Sequence, residues 1–306
     1  MTMTIADTAQ QQSAPREGLI ARHPLVFFFL LASAFFWGYV WLILVPLNVP
    51  GPLFALGAAG PTVAAFLVLA LTSGKAGVLR LLRSMVHWRV GVPWYLVTLV
   101  GVPVLMLLAY LVVPGGLADF RAPDWSFLPF YLSEFALTLF LAGGPLLEEG
   151  GWRGFALPRM QRRHGPLVGT VILGALWALW HLPIFVGPLA ATGPDATFVS
   201  VSIAFVEFTI GLIGFSIVTT WVLNNCRGSV LMAILLHLAF DAAGAAFIVL
   251  FPSASPYYVP VCWQTLGIAI VQSVAALVII VATRRQLGYQ RYQREVELPA
   301  MAGTVR

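Results

Sequence analysis

Long runs of apolar residues with almost no charge among them constrain this chain more than any other feature of its sequence. Hydrophobic residues make up 59% of the 306 positions, and charged residues only 9%. A helix of about 20 apolar residues is long enough to cross the hydrocarbon core of a bilayer. Eight such stretches follow one another, at about 25–47, 53–72, 93–114, 127–147, 166–187, 198–224, 228–251 and 257–283. The sequence therefore predicts an all-α, polytopic transmembrane helical bundle of about eight spans.

Little polar sequence separates these stretches, so we expect one transmembrane domain over residues 24–285. The polar segment 1–23 is predicted to be a disordered N-terminal tail, and residues 286–306 a C-terminal cytoplasmic tail that is disordered from about Gly288. Two basic segments are predicted to be interfacial helices, near 76–89 and 154–163, because apolar residues recur there at helical spacing beside arginines.

The basic residues indicate an orientation. With eight spans, both termini, the linkers 73–92 and 153–165 and the turn 225–227 share one side of the membrane. That side carries every lysine and arginine except Arg121, which is 16 of the 17. The positive-inside rule places it in the cytoplasm. The net charge of +5 is explained by arginines beside anionic lipid headgroups, so the lipid bilayer is the expected partner and no nucleic acid is expected.

Among the few ionisable residues within or at the ends of these apolar stretches, five stand out: Glu148, Glu149, His181, His237 and Asp241. A buried ionisable group costs several kcal/mol in lipid, so such residues are rare and usually functional. They are therefore the candidate site.

The two adjacent glutamates point in different directions on a helix. Glu149 and Arg153 are four residues apart and lie on one face, where they can pair. Glu148 is rotated by about 100° from Glu149 and has no cation on its own face, which makes it a candidate general base. The alternative is a pair of interfacial glutamates that reach water at a helix end.

The two histidines come from later spans. His181 lies well inside the fifth span, and Trp177, one turn before it, is placed to wall the site from lipid. His237 and Asp241 are four residues apart on the seventh span and face the same point. Each histidine alone has a structural alternative, a hydrogen bond within its own apolar helix.

Together, Glu-Glu-x-x-x-Arg, Trp-x-x-x-His and His-x-x-x-Asp on consecutive apolar segments resemble the CPBP family of intramembrane proteases, also called the Abi or CAAX-protease family. The resemblance covers about 130–250, and its form is common in prokaryotic members. It implies that Glu148 and His181 activate the attacking water and that His237 and Asp241 stabilise the oxyanion. Glu149, Arg153 and Trp177 are then supporting residues. Residues Glu134 and Glu207 match no motif of the family.

Asp241 departs from the family, which often has asparagine at this position. A neutral amide donates a hydrogen bond to an oxyanion, whereas an ionised carboxylate does not. Asp241 would have to be protonated, or to act by orienting His237.

The resemblance implies an intramembrane endopeptidase that hydrolyses a peptide bond in a membrane-associated protein or lipid-proximal peptide, with no cofactor, in a prokaryotic plasma membrane. One alternative is a zinc metalloprotease that takes its ligands from Glu148, His181, His237 and Asp241. Another is a non-catalytic membrane scaffold or immunity protein, and a proton-coupled transporter is a weaker third.

Overall fold

The fold is described from a computed structural model that covers residues 18–47, 56–142, 144–186, 197–254 and 263–299. Within these ranges the chain forms helices and their connections and contains no strand. Helices satisfy their own backbone hydrogen bonds, which suits long apolar segments in lipid. The predicted all-α, polytopic helical bundle is confirmed.

The main helices are, in chain order, α1 (Pro24–Leu44), α2 (Leu56–Met85), α3 (Val92–Leu111), α4 (Phe127–Phe140), α5 (Gly144–His164), α6 (Pro166–Trp180), α7 (Phe198–Asn225), α8 (Val230–Val249) and α9 (Gln264–Ala282). Among the described residues, α1, α2, α3, α7, α8 and α9 are long and apolar enough to cross a membrane. Burial singles out α8, of which 72% of the apolar stretch is enclosed, compared with 22–39% in the other five. Helix α8 is therefore the centre of the bundle.

The predicted fourth and fifth spans differ from simple membrane helices. Helices α4 and α5 are bent by 53° relative to each other, and α5 begins at Gly144-Pro145, where a proline suits a first helical turn but would break a continuing helix. Helix α6 has only 15 residues and ends before Pro183, which limits the helix that precedes it. The eight predicted apolar segments thus correspond to six long helices, one bent pair and one short helix. Positions 53–55, 143, 187 and 257–262 of those segments lie outside the described residues.

The two predicted interfacial helices adjoin longer ones. Gly74 has φ 59° and ψ −158°, so α2 consists of two helices joined at a kink. The basic segment predicted over 76–89 forms the second of these, up to Met85. The segment predicted over 154–163 is the second half of α5, which carries Arg162, Arg163 and His164 in its last turn.

The described residues near the two ends of the chain are more ordered than the sequence predicts. Residues 1–17 of the predicted N-terminal tail lie outside the described part, but Leu19–Arg22 forms a helical turn. The prediction of disorder after Gly288 is wrong for the next nine residues: Tyr289–Tyr292 continues into Gln293–Glu297 as one helix, α10. Its two tyrosines are only 6% exposed, and burying these rings is what orders the segment.

An ion pair of 3.1 Å between Glu297 Oε1 and Arg162 of α5 joins α10 to the bundle. Within α10, the Tyr289 hydroxyl donates to the other carboxylate oxygen of Glu297, Oε2, at 3.0 Å. Burial, with a smaller contribution from Glu297, raises the pKa of Tyr289 to about 12. The phenol therefore keeps its proton, and its donor role, throughout the neutral range.

Contacts between connections divide the bundle into two ends. At one end the Arg121 amide donates to the Leu250 carbonyl, after α3 and α8 respectively. At the other end Ser229 binds the His87 carbonyl, before α8 and α3 respectively. The basic segments at this second end also pair with α10, through Arg162–Glu297 and Arg227–Glu295. We call it the basic end; it gathers the segments that the eight-span prediction places on one side.

Candidate active site

Two glycines allow α5 to pack directly against α2. A Cβ atom on Gly151 would collide with the carbonyl carbon of Pro61, and one on Gly150 would lie 2.7 Å from Thr62 Oγ1. Only glycine permits so close an approach of two helices. This contact fixes the height and rotation of α5 and so places the two glutamates that precede it.

The pair predicted from the sequence, Glu149 and Arg153, forms inside the bundle. Arg153 Nη1 donates to Glu149 Oε1 at 3.0 Å, and both side chains have no exposed surface. Immediately after Glu149 the helix widens into a π-helical turn over Trp152–Ala156, a distortion that often occurs at functional sites. Arg153 Nη2 also reaches Ser216 Oγ of α7 at 3.3 Å. Glu149 is therefore tied to its own helix and, through Arg153, to α7.

Glu148 faces a different set of partners. Its Oε2 accepts hydrogen bonds from the indole of Trp177 at 2.8 Å and from the indole of Trp152 at 3.2 Å. The residue is 6% exposed, and no described donor binds Oε1. Two indoles thus hold one carboxylate oxygen in place, while the second remains available as a proton acceptor.

His237 of α8 binds the second glutamate. Its Nδ1 lies 2.9 Å from Glu149 Oε1, the oxygen that also accepts from Arg153. A carboxylate paired with arginine only accepts, so Nδ1 is the nitrogen that carries a proton. On the other side of the ring, Nε2 lies 3.7 Å from Asp241 Oδ2, which is too long for a hydrogen bond. Glu149, which sequence alone treats as a partner of Arg153, therefore also orients His237.

His181 caps the end of α6. Its Nδ1 lies 2.9 Å from the Trp177 carbonyl, one turn earlier. A carbonyl only accepts, so Nδ1 donates and Nε2 of the neutral ring bears the lone pair. The rings of Trp180 and Phe208 pack edge-on against the imidazole. These contacts fix both the tautomer and the orientation of His181.

Trp177 connects the separate parts of the site. Its indole N–H binds Glu148, its carbonyl binds His181, and its ring lies 4.1 Å from the guanidinium carbon of Arg153. The edge of His237 also meets this ring, with 5.3 Å between ring centres. The sequence predicts only that Trp177 walls the site, whereas the structure gives it a hydrogen bond to a candidate catalytic group.

The predicted site residues from three helices thus meet in one cluster. Glu148, Glu149, Arg153 and His237 are joined by direct contacts or through Trp177, and Asp241 lies beside His237. Among the described contacts, His181 reaches Glu148 only through Trp177 and makes no direct hydrogen bond to it. Sequence analysis missed Trp152, although its i+4 spacing from Glu148 could have indicated it, and Ser216, for which nothing in the sequence points to Arg153.

The described residues contain no group of three or more His, Cys, Asp and Glu side chains arranged to hold a metal ion. The alternative zinc ligands, Glu148, His181, His237 and Asp241, do not form such a group among the described residues, and zinc stays a prediction. The two glutamates outside the motifs, Glu134 of α4 and Glu207 of α7, are partly buried and make no hydrogen bond or ion pair with other described residues.

Known proteins are similar in sequence to this part of the chain. Residues 130–243 match the family described as Type II CAAX prenyl endopeptidase Rce1-like. A protein of Methanococcus maripaludis named CAAX prenyl protease 2 is 28% identical over 145 residues, which are 45% of this chain and 51% of that protein. The chain thus spans about half the length of this curated relative.

The family match contains the candidate residues Glu148, His181, His237 and Asp241, and the apolar helices indicate an integral, multi-pass membrane protein. Through residues 130–243 and this relative, the chain is similar to the CAAX prenyl endopeptidases of the CPBP family.

Proposed function

We propose that this protein is an intramembrane endopeptidase in which Glu148 activates water. The observation that carries the proposal is the pair of indole hydrogen bonds to Glu148 Oε2. They hold a buried carboxylate without neutralising it, and Oε1 can then take a proton from water. A purely structural glutamate in lipid would be expected to pair with a cation, as Glu149 does with Arg153.

In the proposed reaction, water lies between Glu148 and His181. Glu148 Oε1 takes one proton, and the lone pair of His181 Nε2 accepts the other hydrogen as a hydrogen bond, which orients the nucleophile. The hydroxide attacks the scissile carbonyl, and Glu148 returns the proton to the leaving amine when the C–N bond breaks. No redox partner or external acid is needed, because the proton that leaves water ends on the amine.

His237 is the proposed stabiliser of the oxyanion. Its Nδ1 is held by Glu149, so Nε2 can donate to an oxyanion when the ring carries both protons. The carboxylates of Glu149 and Asp241, at 2.9 Å and 3.7 Å from the two ring nitrogens, favour that charged form. Asp241 then acts by stabilising and orienting His237, and not as a direct oxyanion donor.

The substrate we propose is a membrane-associated protein or a lipid-proximal peptide. The curated relative is named for a prenyl CAAX substrate, which makes a prenylated C-terminal peptide the first candidate class to test. We also propose that the basic end faces the cytoplasm of a prokaryotic plasma membrane, since it collects most of the arginines.

The test is peptide hydrolysis by the full-length protein in proteoliposomes, with quenched fluorescent peptides that carry or lack a prenyl group. Glu148→Gln keeps an oxygen for the two indoles but removes the base, so turnover should fall by at least about 100-fold with an unchanged melting temperature. Glu134→Gln, another glutamate in the membrane part, is the matched control and should remain active. If Glu148→Gln cleaves at the normal rate, the proposed base is wrong.

Chelation distinguishes the zinc alternative in the same assay. Activity that survives chelator treatment, together with no bound metal in the purified protein, supports the metal-free reaction. Parallel loss of metal and activity would favour a metalloprotease. No cleavage of any membrane peptide by protein shown to be folded would favour the scaffold.

Asp241 is tested by two substitutions. Asp241→Asn removes the negative charge near His237 and should cost much of the rate, whereas Asp241→Glu should restore part of it. The measurement is the pH profile of turnover, because a merely structural role would change stability and leave the profile unaltered. An Asp241→Asn variant with full activity and an unchanged profile would contradict this role.

A further inference from the structure

A cavity on the basic end of the bundle lies outside the proposed reaction. It opens between the start of α1 and the last turns of α5 and has a volume of about 360 Å³. Its lining includes Arg22, Leu25, Val26, Arg159, Arg162 and Arg163. We call it the arginine pocket. It combines a strongly basic wall with an apolar one, and the buried glutamates do not contribute to it.

The positive charge of the arginine pocket is mostly unneutralised by the described residues. Arg162 pairs with Glu297 at 3.1 Å. For Arg22, Arg159 and Arg163, the described part of the chain offers no carboxylate within ion-pair distance. Like charges around one cavity repel each other, and an anion bound among them would remove that repulsion. The pocket therefore favours a negatively charged ligand.

Arg159 is already fixed for such a ligand. Its Nη1 donates to the Phe155 carbonyl at 2.9 Å, and its guanidinium lies 3.8 Å from the centre of the Phe155 ring. These two contacts use one of its five N–H donors and restrain the planar group. A guanidinium fork of this kind matches the oxygens of a phosphate, and a restrained one loses less entropy on binding.

The apolar wall distinguishes a lipid from a soluble anion. Leu25 and Val26 line the pocket, and Val26 leads one helical turn further to Leu30, with exposures of 53% and 62%. Neighbours at i and i+4 form a continuous strip on the outer face of α1. A headgroup in the pocket would place its acyl chain along this strip, within the apolar part of the bilayer.

We propose that the arginine pocket binds the phosphate headgroup of an anionic phospholipid, with an acyl chain along Val26 and Leu30 of α1. Basic pockets between helices at one end of a membrane protein recognise such headgroups. This proposal does not depend on catalysis and holds for an active or an inactive protein.

The experiment measures lipid retained by the full-length protein, by native mass spectrometry after titration with phosphatidylglycerol or phosphatidylcholine. Arg22→Gln combined with Arg163→Gln removes two exposed arginines of the pocket. The matched control, Arg83→Gln combined with Arg89→Gln, removes the same charge from exposed positions that the pocket does not include. We expect the pocket variant to bind phosphatidylglycerol about 25-fold more weakly, since each of the two arginines contributes roughly fivefold near the membrane surface. The control should resemble the unaltered protein.

Three outcomes would overturn the proposal. Equal affinity for the anionic and the zwitterionic lipid would exclude headgroup charge as the determinant. An equal loss in the control variant would assign binding to general surface charge. Inorganic phosphate that competes at the same concentration as the lipid would indicate a site for a soluble anion without a role for α1. Unchanged melting temperatures of both variants ensure that a difference reports binding.

Discussion

Two ion pairs with the same spacing lie in opposite environments of this protein. Glu149 and Arg153 of α5 are four residues apart with a nitrogen–oxygen distance of 3.0 Å, and Arg291 and Glu295 of α10 are four residues apart at 2.9 Å. The first pair is completely buried, whereas the side chains of the second are 42% and 32% exposed. Local helical geometry is therefore nearly the same, and only the surroundings differ.

The surroundings determine what each pair contributes. The exposed pair is solvated and screened by salt, and pairs of this kind contribute about 0–1 kcal/mol. The buried pair has lost its water, so each partner depends on the other and on His237, Ser216 and Trp177 for compensation. Removing one partner of such a pair costs about 3–5 kcal/mol, because the remaining charge stays buried. The same sequence spacing thus helps to hold a site together in one region and adds little stability to a surface helix in the other.

The largest expected effect follows from breaking the buried pair. Arg153→Met should lower the free energy of unfolding by about 3–5 kcal/mol, because Glu149 then keeps only His237 as a partner. The measurement is reversible unfolding or thermal melting in lipid or mild detergent. Glu149→Gln should cost less, since an amide oxygen still accepts from Arg153.

A double variant sharpens this prediction. Glu149→Gln together with Arg153→Met removes both charges, so it should be more stable than Arg153→Met alone. Strictly additive losses would contradict the picture of one coupled pair. Hydrolysis should stay impaired in the double variant, because its His237 has lost the carboxylate that orients the ring.

Two glycines, one tightly packed and one without close neighbours, allow the same kind of comparison for packing. Gly151→Ala would place a methyl group against the backbone of Pro61, whereas a Cβ on Gly38 of α1 meets nothing within 4 Å. We expect Gly151→Ala to cost about 1–3 kcal/mol through overpacking, and Gly38→Ala to be neutral or slightly stabilising because alanine is the better helix former. Melting temperatures of the two variants provide the check. A tolerated Gly151→Ala would show that α5 can move away from α2 without loss.

The sequence predicts the parts of this site that depend on one helix and misses those that depend on tertiary contact. The Glu149–Arg153 pair follows from a spacing of four residues on one helix. The contact between His237 and Glu149 joins residues 88 positions apart, and no periodicity encodes it. It requires α8, the most enclosed of the six long helices, to lie against α5.

The fold shows the same division. Hydropathy locates the apolar segments because each segment in lipid must be apolar and must satisfy its own backbone hydrogen bonds. It does not reveal the 53° bend before α5 or the shortness of α6, which depend on prolines and on neighbouring helices. Hydropathy also fails for α10, whose order comes from Tyr289 and Tyr292, buried against the basic end of the bundle.

The smallest expected effect comes from the exposed pair and tests the comparison most directly. Glu295→Gln removes the carboxylate that binds Arg291 at 2.9 Å and Arg227 at 3.4 Å, so two ion pairs are lost in one substitution. Even so, the cost should stay below about 1 kcal/mol, because water and salt already screen all three side chains. The difference from the unaltered protein should shrink further at high salt, where the screening length falls to about 3 Å. The loss caused by Arg153→Met should persist under the same conditions, since salt does not reach that site. Melting curves of both variants at low and high salt measure the contrast; a Glu295→Gln variant as unstable as Arg153→Met would mean that burial does not separate the two pairs.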